Sequence, residues 1–376
     1  MDFRYSDDQT AVIELARQIL DDHCTQEALR ATEKSGGPRF DRVLWKKLVE
    51  AGLVGAAVPE RFGGAELGFL ELAAVLEHVG RTTAPVPLLE VSAMGALPLV
   101  QFGSDAQKEA WLPRIAEGKT IVTSALVERF RAVDEPGTTA RASDDGGDEW
   151  ILDGEKLCVP AGPIADMILI PARLGDEVAV FLVETSTAGL VREDLKTTSG
   201  QPECALQLDG VRVGGDAMLG KPSQGREIVQ WIDLRATAAL ASLAAGVCQE
   251  ALRLTAEYTK ERKQFDQPIA TFQAVGQRAA DAFIDTEAIR LTALQAAWRI
   301  DDGQDAAAET AVAKAWAADG GSRVVRAALH LHGGVGVDRE YPLHRCYLYA
   351  RHIELTLGGE SQQLRRLGRL IAERAA

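Results

Sequence analysis

Cysteine is scarce and unpatterned in this sequence. Five cysteines occur among 376 residues, with no CxxC pair and no grouping with histidine of the kind that holds a metal. A disulfide framework and a cysteine-based metal site are therefore excluded as organising features, and we expect reduced thiols that are mostly packed. The five are Cys24, Cys158, Cys204, Cys248 and Cys346.

Long hydrophobic runs and a basic N-terminus are also absent. No stretch approaches the roughly 18 uninterrupted apolar residues of a membrane-spanning helix. The opening segment MDFRYSDDQT is acidic and lacks the basic start and apolar run of a secretory signal. We expect a soluble, cytoplasmic protein without a membrane span.

Basic residues do not dominate the charge. The chain has 41 Lys and Arg against 55 Asp and Glu, a formal net charge of −14, and its basic residues are spread along the sequence. This balance argues against nucleic acid as the main ligand, although a local basic pocket for a phosphate is compatible with it.

Three regions with different sequence patterns follow one another along the chain, and its length predicts two or three domains. Residues 1–118 are predicted to form a helical domain, starting with a capping box at Ser6 and Gln9. Residues 119–224 consist of short β-branched runs separated by Gly, Asp and Pro, which predict an antiparallel sheet or barrel. Residues 225–376 return to helix. The predicted fold class is mainly α with a central β-barrel and a C-terminal four-helix bundle.

The first helix of the C-terminal segment is unusually long and alanine-rich. It is apolar on more than one face, so it must be buried in a bundle, often between subunits. Further helices are predicted at about 270–301, 305–331 and 343–357, with a last one from Ser361. A regular α/β alternation is absent, which argues against a Rossmann domain.

Four segments carry recognisable motifs. GLVGAAVPERFGGAELG contains a Pro-Glu-x-x-Gly-Gly loop, and AQKEAWLPRIAEG is a helix that leads into the β segment. ERKQFDQPIATFQAV is similar to Arg-x-x-Phe-Gly-x-Pro-Ile…Phe-Gln, and LHLHGGVGVDREYPLHR to Gln-x-x-Gly-Gly-x-Gly…Glu-x-Pro-x-x-Arg. Together and in this order, the four segments resemble the acyl-CoA dehydrogenases over the whole chain.

The resemblance implies a fold, a cofactor and a reaction. The family has an α-domain, a β-barrel and a four-helix bundle. In its reaction a carboxylate removes the α-proton of an acyl-CoA while the flavin of FAD takes the β-hydrogen as hydride. The resemblance also implies an electron-transfer flavoprotein as electron acceptor, and a FAD whose adenine end meets residues from a neighbouring subunit.

The adenine side of the implied FAD site is retained in this sequence. Arg262 stands at the family's pyrophosphate arginine, where a charge-assisted pair with phosphate is expected. Glycines at the family's Gly-Gly step allow close backbone approach to the cofactor. His330 replaces a glutamine and can still donate a hydrogen bond. The residues implied to bind cofactor are Arg262, Phe265, Gln273, His330, Gly333, Gly334 and Gln362.

Ordinary structural roles compete with these assignments. Arg262 could be a cation at a helix end, and Gly333 with Gly334 could be a helix stop. For His332 we favour an ordinary structural histidine, packed or exposed, whereas His330 is left open between that role and cofactor binding.

The flavin side of the implied site is not retained. LVERFRAVDEPGTTAR stands where the family has a Thr-Glu-Pro-x-Ala-Gly-Ser-Asp loop. In GEKLCVPAGPIAD, Cys158 replaces the family's tryptophan and Pro160 replaces a threonine, so a hydroxyl and a backbone N–H are lost. Asp166 is kept, so we expect the strand itself to be intact.

The catalytic base is missing as well. One branch of the family carries its glutamate just before the Gly-Thr/Ser step of the final turn, which is Gly358 here. Another branch carries it on the long helix, at the position of Ala236. Glu360 is a weak candidate for a displaced base, and an exposed charge at the start of the last helix is the more favoured interpretation.

Three functional hypotheses follow. The first is the non-catalytic subunit of a heteromeric α2β2 acyl-CoA dehydrogenase, as in actinobacterial steroid side-chain catabolism, which completes the FAD of a catalytic partner. The second is a self-sufficient homotetrameric dehydrogenase with a displaced base. The third is a non-redox acyl-CoA-binding scaffold on the same fold.

Overall fold

The computed structural model describes residues 5–143 and 148–375, and helices dominate at both ends of the chain. The helices are α1 (Asp7–His23), α2 (Gln26–Lys34), α3 (Arg42–Glu50), α4 (Phe69–Thr82), α5 (Leu97–Phe102), α6 (Asp105–Ala116), α7 (Gly225–Glu261), α8 (Gln273–Asp301), α9 (Ala307–Ala315), α10 (Gly321–His332), α11 (Leu343–Leu355) and α12 (Glu360–Ala375).

The strands are concentrated between α6 and α7. They are β1 (Val122–Ser124), β2 (Thr139–Ala142), β3 (Glu149–Pro160), β4 (Met167–Leu174), β5 (Glu177–Glu184), β6 (Leu190–Leu195), β7 (Glu203–Gly214) and β8 (Met218–Leu219), with a short hairpin of β9 (Lys263–Gln264) and β10 (Gln267–Pro268) after α7. The predicted fold class, mainly α with a central β segment, is confirmed.

Several helices begin where the sequence supplies a cap. Ser6 accepts from the backbone N–H of Gln9, whose side chain bonds back to Ser6, so the predicted capping box is confirmed. The same reciprocal pair occurs between Ser104 and Gln107 at α6. These side chains satisfy N–H groups that a first helical turn leaves without partners.

One compact unit is helical and comprises residues 1–31, 69–84 and 237–376. Within it α4 and α7 approach so closely that two glycines are required. A Cβ on Gly80 would lie 2.1 Å from the carbonyl oxygen of Leu243, and one on Gly246 would lie 1.8 Å from that of Glu77. Helix α8 packs against α4 and also contacts α9 and α10, while α11 packs against α10 and α12 against α9.

The second unit comprises residues 32–68 and 85–236 and contains the sheet. Its strand order is β6-β7-β3-β2-β4-β5-β8, and β1 pairs in parallel with β4. The described strand pairs thus form one mixed sheet with β6 and β8 at its two ends. The sequence predicted an antiparallel sheet or a barrel for this segment. Strands β4 and β5 are buried almost throughout and form much of this unit's core.

Two segments of the chain form π-helical turns that the sequence did not predict. They span Glu90–Ala96, before α5, and Trp316–Gly320, between α9 and α10. The predicted helix at about 305–331 is therefore α9, a π-helical turn and α10. Such turns occur often at functional sites.

Helix α7 is long and apolar enough to cross a membrane by length and composition alone. Within the described residues it is the one helix that meets this test, and 83% of its most apolar window is buried inside the molecule. It is thus buried like the core helix of a soluble protein.

Candidate cofactor site

The end of α7 turns through a tight hairpin that contains Phe265 and lies between two other predicted cofactor residues, Arg262 and Gln273. The carbonyl oxygen of Arg262 accepts a hydrogen bond from the backbone N–H of Ile269 at 2.8 Å, which closes the turn. Phe265 and Asp266 form its tip with φ of 53° and 64°. Left-handed backbone is uncommon for such residues and is found mostly in turns or at functional sites.

Phe265 is the most exposed apolar residue of this hairpin. It is 88% exposed, and its ring makes an edge-to-face contact with Phe272 at a centroid distance of 6.2 Å. Gln273 follows directly as the first residue of α8 and is also exposed. The hairpin and the start of α8 thus leave Arg262, Phe265 and Gln273 exposed.

The Arg262 guanidinium is exposed, and among the described residues no ion pair with a carboxylate is assigned to it. Its neighbour along α7, Arg253, is by contrast held by Glu250 and Glu257 at 2.6 Å each. A free guanidinium near an exposed aromatic ring in the chain is suited to a nucleotide. The guanidinium can form charge-assisted hydrogen bonds with a phosphate, and the ring can stack on an adenine.

The glycine step ends α10. Gly333 has φ 62° and ψ −139°, a conformation that favours glycine. Gly334 has ordinary φ, and a Cβ on it would meet nothing within 4 Å. No neighbour within the described chain therefore requires glycine at 334, which fits close approach by a group from outside.

The two neighbouring histidines differ in burial. His330 is exposed, whereas His332 is buried at 3% exposure, so of the packed and exposed positions left open for His332 the structure shows the packed one. The structure thus leaves the His330 side chain at the surface close to the glycine step along the chain.

The final turn, between α11 and α12, is held by hydrogen bonds from side chains of the same chain. Gly358 has φ 96°, and its carbonyl oxygen accepts from the buried ammonium of Lys314 at 2.8 Å. Gln362 is exposed, and its amide oxygen accepts from the backbone N–H of Gly359 at 3.1 Å, so it caps α12. Glu360 is an exposed residue in the first turn of α12.

Gln362 is not brought to the glycine step within this chain. The glycine step precedes α11 and Gln362 follows it, and 13 helical residues span about 20 Å. Of the predicted cofactor residues, Arg262 and Phe265 lie at the hairpin, Gln273 starts α8 close behind it along the chain, and Gln362 follows the far end of α11.

Ala236, the other base position, is completely buried on α7. Beside it, the guanidinium of Arg235 lies 3.5 Å from the ring centre of Trp231, and burial lowers the pKa of Arg235 to about 10. The position holds a methyl group in a packed helix, so it offers no group that could accept a proton.

The strand that carries Cys158 and Pro160 is intact, as expected. β3 pairs with β7 as far as Pro160 and Glu203, with a register shift between Lys156 and Val159. Cys158 lies in that irregularity with φ 48°, and burial raises the pKa of its thiol beside Glu203. Cys158 lacks the tryptophan ring that the resemblance places here. Pro160 lacks both the backbone N–H and the hydroxyl of the threonine that it replaces.

A buried ion pair between Lys156 on β3 and Glu128, in the segment before β2, was missed by the sequence analysis. The Lys156 ammonium, with its side chain 0% exposed, lies 2.6 Å from the Glu128 carboxylate, which is 7% exposed. Glu128 also accepts from the backbone N–H groups of Gly137 and Thr138. The sequence signal is weak, because the two residues are 28 positions apart.

Lys314 was missed as well. Its ammonium donates to the carbonyl oxygens of Gly358 and Glu354 at the end of α11. A lysine inside the apolar run AVAKAWA was the available signal, because such a charge needs an internal partner.

Three sequence models of one family match the chain in series. The acyl-CoA dehydrogenase N-terminal domain matches residues 6–119, the middle domain residues 131–211 and the C-terminal domain residues 224–372. The chain therefore belongs to the acyl-CoA dehydrogenase family, and membership implies oxidoreductase chemistry on acyl-CoA with FAD as the cofactor.

The chain is similar to a curated relative and to two solved structures over nearly its whole length. The acyl-CoA dehydrogenase FadE27 of Mycobacterium tuberculosis is 38% identical, with all of both chains covered. A chain in the crystal structure of the ChsE4-ChsE5 complex from Mycobacterium tuberculosis has a TM-score of 0.93 and 39% identity, with 99% of each chain covered. A chain from a variant of the Tcur3481-Tcur3483 steroid ACAD has a TM-score of 0.89 and 42% identity, with 98% of this chain and 99% of that one covered.

Proposed function

We propose that this chain is the non-catalytic subunit of a heteromeric FAD-dependent acyl-CoA dehydrogenase of α2β2 form. It supplies the adenine side of a FAD site whose flavin side and catalytic base belong to a partner acyl-CoA dehydrogenase. The assembly is cytoplasmic and introduces an α,β double bond into an acyl-CoA, with a steroid side-chain CoA ester as the substrate class.

The observation that carries the proposal is the contrast between the two halves of the cofactor site. Arg262 and Phe265 are exposed on a strained hairpin, and Gly334 has no intramolecular reason to be glycine. The base positions instead hold Gly358, at φ 96°, and the fully buried Ala236. Half of a site is useful only if another chain provides the rest.

The chemistry divides between the subunits accordingly. A carboxylate of the partner takes the α-proton, the β-hydrogen leaves with the electron pair of its C–H bond, and a C=C bond forms between the two carbons. Bound FAD supplies the hydride acceptor, and an electron-transfer flavoprotein then receives the electrons. This chain contributes binding: Arg262 pairs with phosphate, and the glycine step allows backbone approach.

A subunit contact is supported by the surface of α8. Phe283, Ile284 and Leu291 are large apolar side chains that are exposed on this helix. Together with Phe265 they leave apolar area in water on the helical unit, as expected of a surface that a partner covers. The similarity to chains from two complexes of paired proteins, one of them a steroid ACAD, supports the assembly and the substrate class.

The test compares the chain alone with the chain co-expressed with the acyl-CoA dehydrogenase encoded beside it. We expect colourless, inactive protein from the chain alone, and yellow protein with acyl-CoA dehydrogenase activity from the co-purified complex. A yellow, active lone chain would refute the proposal in favour of the self-sufficient homotetramer. A complex without flavin or activity would favour the non-redox acyl-CoA-binding scaffold.

A further inference from the structure

Three aromatic rings join the end of α7 to the end of α10. The His332 imidazole stacks on the Tyr258 ring with a centroid distance of 4.4 Å and an interplanar angle of 23°. Tyr341 closes the cluster, 5.1 Å from His332 and 6.3 Å from Tyr258. All three residues belong to the helical unit.

Hydrogen bonds fix the orientation of each ring. His332 Nδ1 lies 2.8 Å from the carbonyl oxygen of Ala328, and its Nε2 lies 3.1 Å from the Tyr341 hydroxyl. Since a carbonyl only accepts, Nδ1 carries the hydrogen, and in the neutral ring Nε2 accepts from Tyr341. The Tyr258 hydroxyl donates to the carbonyl oxygen of His332 at 3.3 Å.

Burial keeps this histidine neutral near physiological pH. It lowers the pKa of His332, and the hydrogen bond to Ala328 opposes that effect only in part. A neutral ring preserves the donor at Nδ1 and the acceptor at Nε2, which is the pattern that both partners require.

The cluster lies between the two parts of the proposed adenine-side site. Tyr258 precedes Arg262 by one helical turn, and the backbone N–H of Arg262 donates to the Tyr258 carbonyl oxygen at 2.8 Å. His332 precedes Gly333 directly, and its own carbonyl is the acceptor for Tyr258. The distance between Arg262 and the glycine step is therefore set through Tyr258 and His332.

We propose that His332, Tyr258 and Tyr341 form a positioning cluster that holds the Arg262 end of α7 and the Gly333-Gly334 backbone at the separation needed to receive the pyrophosphate–adenosine part of a dinucleotide. The inference rests on the proposed function. Packing alone does not require this arrangement, since three apolar rings would fill the same space. The hydrogen bonds instead fix the peptide that leads into the glycine step, and preorganised groups bind more tightly because less order is lost on binding.

The experiment uses the co-expressed complex, stripped of flavin and titrated with FAD. Tyr258→Phe and Tyr341→Phe each delete one oxygen atom, and His332→Phe keeps the stacked ring without its hydrogen bonds. Each should weaken FAD binding by about three- to tenfold, the range expected of coupled neighbours. Tyr347→Phe, on α11 and outside the cluster, is the matched control and should bind FAD like the wild type.

A double-mutant cycle separates positioning from general destabilisation. In the Arg262→Ala background, Tyr258→Phe should reduce FAD affinity by a smaller factor than in the wild type, because one of the two groups that it positions is gone. Equal losses in both backgrounds, or a lowered Tm with unchanged FAD affinity, would mean that the cluster is only structural. If His332→Phe does not fold, the two tyrosine variants decide the matter.

The outcomes also separate this inference from the proposed function. If Arg262→Ala binds FAD as tightly as the wild type, the adenine-side assignment fails and the cluster has no cofactor to serve. If Arg262→Ala loses FAD while both tyrosine variants retain wild-type affinity, the proposed function stands and the positioning cluster alone is refuted.

Discussion

The buried ammonium of Lys314 donates hydrogen bonds to the carbonyl oxygens of Gly358 and Glu354, at 2.8 and 3.2 Å. It thereby satisfies carbonyls that the end of α11 leaves without helical partners. The turn at Gly358 is thus held as a structural joint by a side chain from α9. The family resemblance places a catalytic base at this turn. In this chain the turn instead contains Gly358 with a positive φ and is bonded by the Lys314 ammonium.

The first prediction concerns the backbone of this turn. Gly358→Ala should destabilise the protein by about 1–2 kcal/mol, because φ is 96° and the new Cβ would lie 2.8 Å from Gln362 Oε1. Gly359→Ala is the matched control, since its Cβ would lie 3.6 Å from the nearest atom and its φ is not positive. Urea unfolding midpoints of the full-length chain measure both, and equal midpoints would contradict the prediction.

The second prediction concerns Glu360 as a displaced base. Glu360→Gln should leave the turnover of the co-purified complex nearly unchanged, because this carboxylate is exposed in the first turn of α12. Loss of a true general base lowers the rate by roughly 10²–10⁴. A fall of that size, with the complex and its flavin intact, would support the self-sufficient enzyme instead.

The third prediction concerns Arg262. Arg262→Ala should weaken FAD binding by the complex roughly 10- to 100-fold, the loss expected for a hydrogen-bonded charge pair with phosphate. Arg369→Ala removes an equally exposed arginine from α12 and should bind FAD normally. Flavin content after gel filtration and FAD titration provide two independent readings, and full flavin content in Arg262→Ala would refute the assignment.

The fourth prediction concerns the ion pair of Glu128 and Lys156. Lys156→Met should destabilise the protein by roughly 3–5 kcal/mol, because it leaves a buried carboxylate without its cation. The double variant Glu128→Gln/Lys156→Met should recover part of that loss, since neither charge remains. Thermal unfolding of the full-length chain checks both, and a double variant no more stable than Lys156→Met would argue against a charge effect.

The same pair predicts a dependence on acid. Burial by itself raises the pKa of Glu128, but the Lys156 ammonium and the hydrogen bonds from Thr138 and Gly137 outweigh it, so the pKa lies below the usual 4.5. Stability from this carboxylate is complete above pH 4.5 and is lost as the pH falls through the lowered value. Glu128→Gln should therefore unfold with a shallower dependence on pH in that acid range.

The fifth prediction concerns His78 on α4. Burial, assisted by Arg81, lowers the pKa of His78 from 6.5 to about 4. Between these values the unfolded chain binds more protons than the folded one, so the free energy of unfolding should fall as the pH drops from 6.5 towards 4. His78→Phe should flatten this part of the profile, whereas the exposed control His330→Gln should not. An unchanged slope in His78→Phe would contradict the prediction.

Local features of the fold could be predicted because neighbouring residues encode them. The capping box at Ser6 and Gln9, the change to short β-branched runs after Lys119 and the long apolar helix after Gly225 all depend on local pattern. The π-helical turn at Trp316–Gly320 could not be predicted, because the residues around it have the pattern of a continuous helix. The family and its reaction class were likewise available from short motifs.

The sequence by itself determined which groups are present: an arginine and two glycines at the positions that the resemblance assigns to the adenine side, and neither base nor flavin-side donors at the positions where it expects them. Only the tertiary structure decided how these groups are used. It exposes Arg262, stacks His332 on Tyr258, and brings Lys314 to Gly358. The reason is physical: the stacked rings are 74 positions apart in the chain and the lysine and glycine 44, so only packing of the helices brings them within stacking or hydrogen-bonding distance.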